Sequence, residues 1–279
     1  MPELAEVELA RRIWAEATGQ SVLSVEANHD ARIFRDLPAR ALVSLNGKTL
    51  TGSHHHGKRM YFTFDQSWHL EVHLGMSGKV FRAAPDYAHQ KHDHLILRLE
   101  NTTLILNDYR MFGKVMLHED PPPWESLPPS PLHRAFTQSY LEGIVTKRPR
   151  KILKGALLDQ SMFPGIGNWM ADEICWRLAV HPATPLGELP LAELFKEVQF
   201  VCKGSIKHVA DKNLDLAERA DDLGFAAGGY VAHVPPASWL FQHRWKKDGS
   251  CPKCQQELSR DTIATRTTAW CHVCQPLPV

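Results

Sequence analysis

The chain has 279 residues, 43% of them hydrophobic and 23% charged, with a formal net charge of +1 at pH 7. That balance excludes a disordered chain and a uniformly basic one, and its length suits about two domains. No apolar run approaches the roughly 18 residues that span a bilayer, and Glu3, Glu6 and Glu8 stand where a secretory signal carries positive charge, so a cytoplasmic protein with no membrane partner is expected.

The first element is a helix that starts almost at once. After "MPELAEVE" the apolar residues Leu9, Ala10, Ile13, Trp14 and Ala17 recur at helical spacing. Pro2 suits the first helical position, where a missing N–H costs nothing, and Glu3 and Glu6 favour the positive end of the helix dipole. A second reading of the same residues is chemical. A residue as small as Pro2 permits removal of Met1, which leaves a secondary amine, a nucleophile, at the head of a packed helix.

Residues 21 to 118 then read as short strands: "QSVLSVEA", "ALVSLNGKTLTG", "RMYFTFD", "WHLEVHLG", "HLILRLE" and "TLILNDY", several with period-two alternation. A β-rich domain over 1–118, built as a sandwich, is expected. The stretch "EDPPPWESLPPSPL" from 119 to 132 carries six prolines and reads as a linker. Helical texture follows over 133–237, in "PRKILKGALLDQ", "GNWMADEICWRLAV" and "LAELFKEVQFVCKGSIKHVA". The fold class expected is α+β. Between two of these helices "FPGIGNWMADE" sets two glycines and Asn168 before a helix start, which suits either a phosphate or a tight helical corner.

The tail over 238–279 holds four of the six cysteines. Cys251, Cys254, Cys271 and Cys274 form CPKC and CHVC, separated by sixteen residues, the spacing of a zinc ribbon. Two such turns close a tetrahedron of thiolates around one structural Zn2+, whose binding of about 10 to 16 kcal/mol can hold so small a unit folded. Cys175 and Cys202 fall in helical stretches and read as buried hydrophobes. Basic charge is local: from residue 244 onward Arg244, Lys246, Lys247, Lys253, Arg260 and Arg266 face three acids, and "TKRPRKILK" at 146 to 154 is the other cluster.

Seven motifs occur together in order: "PELAEVE", Lys58 in "HGKRMYF", "HLGMSG" at 73 to 78, "KHDH" at 91 to 94, "DYRMFG" at 108 to 113, "PGIGN" at 164 to 168 and "RTTAWC" ending in the second cysteine pair. Over its whole length the chain resembles the formamidopyrimidine-DNA glycosylase and endonuclease VIII family of base-excision repair enzymes, nearer the formamidopyrimidine branch. The resemblance implies a β-sandwich domain, a helix-two-turns-helix domain and a zinc finger whose arginine reaches DNA. It further implies a monomer acting on damaged double-stranded DNA in the bacterial cytoplasm or nucleoid. Such an enzyme removes an oxidised base and cuts the abasic strand by β,δ-elimination.

The chemistry supports Pro2 independently. An amine that attacks the sugar C1′ forms an iminium, which acidifies the adjacent C–H for elimination. An α-amino group with a pKa of about 8 is far more often neutral at pH 7 than a lysine near about 10.4. Glu3, next to it, can shuttle protons as general acid and base. By resemblance Lys58 is the proton donor in β-elimination and a phosphate contact, and Arg266 completes the catalytic set. Met76, Arg110 and Phe112 resemble the residues that fill the gap left by an everted base. His73 and Asn168, with Arg266, correspond to phosphate ligands, while Glu6, His92, Arg150 and Lys154 are further DNA-contact candidates.

Three departures bear on the substrate. The Gly-rich, lysine-containing loop usual before the zinc finger is not recognisable in "DKNLDLAERADDLGFAAGGYVAHVPPA" at 211 to 237, Met111 replaces the usual basic residue, and Ala5 stands where proline is usual. The strand chemistry is untouched. Base preference stays open between formamidopyrimidine or 8-oxoguanine and the oxidised pyrimidines of endonuclease VIII-like enzymes. A catalytically silent binder of damaged DNA is the alternative of a different class, disfavoured because a binder has no need of Pro2, Glu3 and Lys58 together. The triple His54, His55 and His56 matches no functional motif.

Overall fold

The first helix, α1 (Leu4–Ala15), starts on a capping box. Glu3 is its N-cap in extended backbone, and the Glu6 carboxylate accepts the Glu3 N–H at 3.0 Å. Leu4, Val7, Leu9, Ala10, Ile13 and Trp14 are buried, so the helix commits one broad face to a core. The computed structural model describes residues 2–28, 30–65, 67–217 and 234–277. Met1 and most of the atypical 211–237 stretch lie outside the described residues.

These residues fall into two units. The first takes 2–126 and 210–217, the second 127–209 and 234–277. Two four-stranded antiparallel sheets make up the first unit. One orders its strands β1 (Val22–Ala27), β6 (Asp93–Leu99), β7 (Thr103–Asn107) and β5 (Lys79–Ala83). The other runs β2 (Leu50–His56), β3 (Arg59–Phe64), β4 (Trp68–His73) and β8 (Lys114–His118). Along β3 burial alternates, sending Met60, Phe62 and Phe64 inward. α1 ties both sheets together: the Trp14 ring lies 4.9 Å from Phe62 of β3, and its Nε1–H donates to the Phe81 carbonyl of β5 at 3.3 Å.

The expected strand over 41–52 divides. Ala39–Leu45 is a 3-10 helix that buries Leu42 and Leu45 three residues apart, and extended structure begins only at Leu50. β5 and β8 carry no strong sequence signal, being five residues each. The proline-rich segment holds one 3-10 turn, Trp124–Ser126, whose Trp124 ring packs 4.7 Å from Tyr61 and 6.1 Å from His56, so its first half belongs to the first unit.

In the second unit come α2 (Gln138–Lys147), α3 (Leu153–Leu158), α4 (Asn168–Arg177), α5 (Leu191–Ser205) and the hairpin of β9 (Ser259–Ile263) and β10 (Arg266–Trp270). The short α6 (Lys212–Ala217) belongs to the first unit, where Asp211 pairs with Arg12 at 2.6 Å. α2 was not foreseen as a separate helix; Thr137 caps it by accepting the Tyr140 N–H at 3.1 Å. Phe136 packs on Phe163 and stacks on Phe195, each with centroids 5.9 Å apart.

At the centre of this unit Asp172 is fully buried, as is Lys154 of α3, whose ammonium pairs with Asp172 Oδ1. Asp172 Oδ2 accepts from Arg244 Nε at 2.9 Å and from the Ala269 N–H of β10 at 3.2 Å. One carboxylate thus ties α3, α4, the chain before the cysteines and the hairpin.

Glu8 anchors α1 in a comparable way. It pairs with Arg11 at 2.7 Å, Arg12 at 2.6 Å and His55 of β2 at 3.3 Å. Burial alone would raise its pKa, yet Arg11, His55 and Arg12 outweigh that and hold it at about 2, below the ordinary 4.5. Because the folded pKa is depressed, this stabilisation is complete above pH 4.5 and is lost as pH falls through about 2. Glu8→Gln is therefore expected to lower stability at pH 7 by about 1 to 3 kcal/mol and to flatten the acid limb between those pH values. Denaturant melts from pH 7 down to 2 check this; parallel curves for the two proteins would refute it.

Candidate active site and nucleic-acid interface

Pairing between α1 and β2 fixes where the N-terminus lies. Arg11 Nη1 donates to Ser53 Oγ at 2.7 Å while Glu8 meets His55, so the helix retreats toward its start as β2 advances toward its end. At about 1.5 Å per helical residue and about 3.4 Å per strand residue, Pro2 and Glu3 come to the same end of the unit as the turn after His56. That turn is Gly57–Lys58, two residues between the paired His56 and Arg59. Gly57 has φ +58°, the glycine-first form of a two-residue hairpin loop, which leaves Lys58 at the tip.

His73 ends β4 opposite Arg59 in the ladder. The Gly75 N–H donates to its Nδ1 at 3.1 Å, so in the neutral ring the proton sits on Nε2. Burial, then the charges of Lys58 and Arg59, lower its pKa, with Glu71 opposing and Arg35 adding to the effect. At pH 7 the ring is neutral and offers an Nε2–H donor suited to a phosphate oxygen.

The loops at 74–78 and 108–113 are locked to one another. A Cβ on Gly75, at φ +61°, would stand 2.4 Å from the Phe112 carbonyl carbon, so no other residue fits. The buried Asp108 carboxylate accepts from Ser77 Oγ at 2.5 Å, the Gly113 N–H at 2.7 Å and the Arg110 N–H at 3.3 Å. Arg35 Nη1 donates to the Gly113 carbonyl at 2.7 Å. Held this way, Met76 is 42% and Phe112 40% exposed, which excludes a core role for either. The Arg110 guanidinium lies over the Phe112 ring at 4.8 Å. His92 is half-buried beside this loop.

In the second unit the turn before α4 is stapled by Gln160, which accepts the Gly165 N–H at 3.0 Å and donates to the Ile166 carbonyl at 2.9 Å. Asn168 opens the helix, and its Nδ2 donates to the Thr267 carbonyl of β10 at 2.9 Å. This bond brings Asn168 beside Arg266, the exposed first residue of β10. Arg266 follows a two-residue loop in which Ala264 and Thr265 both have positive φ, +52° and +61°, a conformation costing on the order of 1 to 3 kcal/mol per residue. Arg150 is exposed on the turn before α3.

One sequence expectation is corrected. Lys154 is an interior tie and not a surface cation for DNA: it is 0% exposed, with its ammonium spent on Asp172 and, at 3.1 Å, on the Asn168 carbonyl. Glu6 is half-buried and caps α1, its carboxylate accepting the Glu3 N–H at 3.0 Å. Arg35 and Asp172 have no sequence signature of their role, and Arg244 and Asp108 show only as part of a basic cluster and of a motif. The nearest to a signal for Asp172 is the acidic pair Asp172 and Glu173 inside an otherwise apolar helix.

The sulfurs of Cys251, Cys254, Cys271 and Cys274 lie within 4.8 Å of one another, a set that can hold a metal ion. Burial pushes the Cys251 thiol up, but a hydrogen bond from Trp176 Nε1 at 3.2 Å and backbone N–H groups of Cys254 and Lys253 outweigh it and bring it to about 7. Cys274 is pushed up to about 12 by burial and by its sulfur neighbours. The donor set fits a thiolate-loving metal closed off from water.

Two family descriptions match this chain: the formamidopyrimidine-DNA glycosylase N-terminal domain over residues 1–115 and the formamidopyrimidine-DNA glycosylase H2TH domain over residues 127–213. The formamidopyrimidine-DNA glycosylase of Exiguobacterium sibiricum is 31% identical over 286 residues, covering 99% of both chains. That of Chloroflexus aurantiacus is 31% identical over 284 residues, covering 99% of this chain and 98% of its own. Among solved structures, Lactococcus lactis Fpg in complex with DNA containing an oxidised pyrimidine superposes with a TM-score of 0.83 at 27% identity, over 99% of this chain and 100% of that one. MutM in complex with DNA containing carbocyclic 8-oxo-G does so with a TM-score of 0.83 at 26% identity, over the same shares. The chain belongs to the formamidopyrimidine-DNA glycosylase family.

Proposed function

We propose that the protein is a base-excision repair enzyme, a DNA glycosylase and abasic-site lyase that acts on oxidised bases in duplex DNA. The observation that carries this reading is the antiparallel run of α1 along β2, which sets Pro2 and Glu3 at the Lys58 end of the first unit. In this reading the Pro2 amine attacks C1′ as the glycosidic bond breaks, and the departing base takes a proton. The C1′–O4′ bond then opens, O4′ taking a proton, and the iminium so formed acidifies the C2′ hydrogen, whose loss expels the 3′ phosphate; a second elimination expels the 5′ phosphate. Glu3, fixed by its capping box, moves protons around the sugar, and Lys58 supplies one during elimination. His73, Asn168 and Arg266 hold phosphates, while Met76, Arg110 and Phe112 occupy the gap left by the everted nucleotide. The metal at the four cysteines is a structural Zn2+ that organises the hairpin presenting Arg266.

Retention of Met76, Arg110 and Phe112 favours a formamidopyrimidine or 8-oxoguanine as the lesion, while the atypical sequence at 211–237 keeps oxidised pyrimidines as the second reading. Solved relatives carry DNA with FAPY-dG and with an oxidised pyrimidine, so oxidised pyrimidines form the second arm of the substrate panel.

Active protein is expected to lack Met1 and to form a borohydride-trapped adduct with abasic duplex through Pro2, with Pro2→Gly retaining part of the trapping because glycine still offers an amine. Peptide mapping decides it, and an adduct on Lys58 would overturn the assignment. Arg110→Ala should reduce base excision from a duplex lesion by about tenfold or more. Its cleavage of an abasic duplex, where no base is left to unstack, should fall much less. Equal losses in single-turnover assays would make Arg110 a backbone contact only. Elemental analysis is expected to give one zinc per chain, and stripping it should abolish cleavage while leaving the β-sheet circular dichroism largely intact. A verified zinc-free protein that cuts abasic duplex at the native rate would contradict that role.

A further inference from the structure

The loop that carries Arg110 and Phe112 also carries an aromatic residue with no role so far. Tyr109 is 59% exposed, more than either Met76 or Phe112. Its backbone is nonetheless pinned. The preceding Asp108 donates its N–H to the His92 carbonyl at 3.1 Å and accepts His94 Nε2–H on its own carbonyl at 3.0 Å. The following Arg110 N–H is held by the Asp108 carboxylate at 3.3 Å. Met111, at φ +53°, turns the chain so that Phe112 lies under two guanidinium groups, Arg110 at 4.8 Å and Arg32 at 5.9 Å. Tyr109 takes a different support: the His92 ring meets it edge-on, 6.4 Å between centroids at 67°.

An exposed aromatic ring on a backbone fixed from both sides is a platform with little entropy left to lose. Every nucleobase has a π-face that such a ring can cover, whatever its sequence. We propose that Tyr109 is a stacking residue for the base beside the everted nucleotide, with His92 as the positioning residue behind it. This rests on the glycosylase reading above. The loop then senses lost stacking through an aromatic face as well as through the gap-filling of Met76, Arg110 and Phe112, which favours lesions whose flanking bases are loosely stacked.

The test compares wild type, Tyr109→Ala and Tyr109→Phe on a duplex holding a tetrahydrofuran abasic analogue flanked by 2-aminopurine. Affinity is measured at several salt concentrations alongside 2-aminopurine fluorescence. Tyr109→Ala is expected to bind about tenfold more weakly, with the salt slope unchanged, and to lose the quenching that stacking produces; Tyr109→Phe should restore both. The proposal is overturned if quenching and affinity survive in Tyr109→Ala, if Tyr109→Phe behaves like Tyr109→Ala, or if the slope falls by about one unit, the mark of a phosphate contact. Borohydride trapping of wild type on a true abasic duplex is run in parallel. Its failure removes the lyase reading and leaves the stacking result to stand or fall by itself.

Discussion

The second unit is organised around one buried carboxylate. Asp172 lies where an ion without partners is severely destabilising, and it is matched by two cations and a backbone N–H: Lys154, Arg244 and the Ala269 amide. Each partner comes from a different element, so the pairing fixes α3, the segment before the cysteines and β10 against α4 at once. The two groups of this unit proposed for phosphate, Asn168 and Arg266, are placed by that pairing. Lys154 holds the Asn168 carbonyl, and Ala269 lies three residues beyond Arg266 on the same strand. A pair of this kind adds little net stability over an apolar core, but it tolerates few alternative arrangements.

The cysteine cluster extends the same logic outward. Trp176, one turn along α4 from Asp172, donates to Cys251, and Lys253 donates to the carbonyls of Trp176 and Arg177 at 2.9 and 3.2 Å. Gln275 accepts the Cys271 N–H at 2.9 Å and donates to the Val180 carbonyl at 2.9 Å. Both cysteine turns are therefore fastened to α4 or its C-terminal extension. The hairpin's position is set from its base by the sulfurs and from its side by Asp172 and Asn168.

Much of this was legible in the sequence where a residue type has few alternative uses. Cysteine pairs sixteen residues apart, glycines beside Met76 and Phe112, and a capped apolar helix beginning at Leu4 each point one way. Charged residues were harder to place, because Lys and Asp are so often exposed that their burial is foreseen only when the partner is known. Lys154 reads as part of a basic cluster, and only the three-dimensional return of α4 and β10 reveals it as an interior residue. The 3-10 turn over Ala39–Leu45 was missed for another reason: a short apolar run with Leu42 and Leu45 in it fits a strand as well as a turn. Tyr109 carried no signal, since a tyrosine among motif residues looks the same whether it is packed or exposed.

The two-residue turn at Gly57–Lys58 limits how such a protein can change. Side chains along a strand alternate, so a one-residue slip of β2 against β3 would exchange the outward His54 and His56 with the inward His55 while Tyr61 and Met60 kept their faces. Lengthening the connection to extend the reach of Lys58 therefore demands a bulge or a register slip in the sheet beneath it. The reach of that ammonium is thus set by the two-residue length of the turn, and freedom in length lies in loops that the ladder does not dictate.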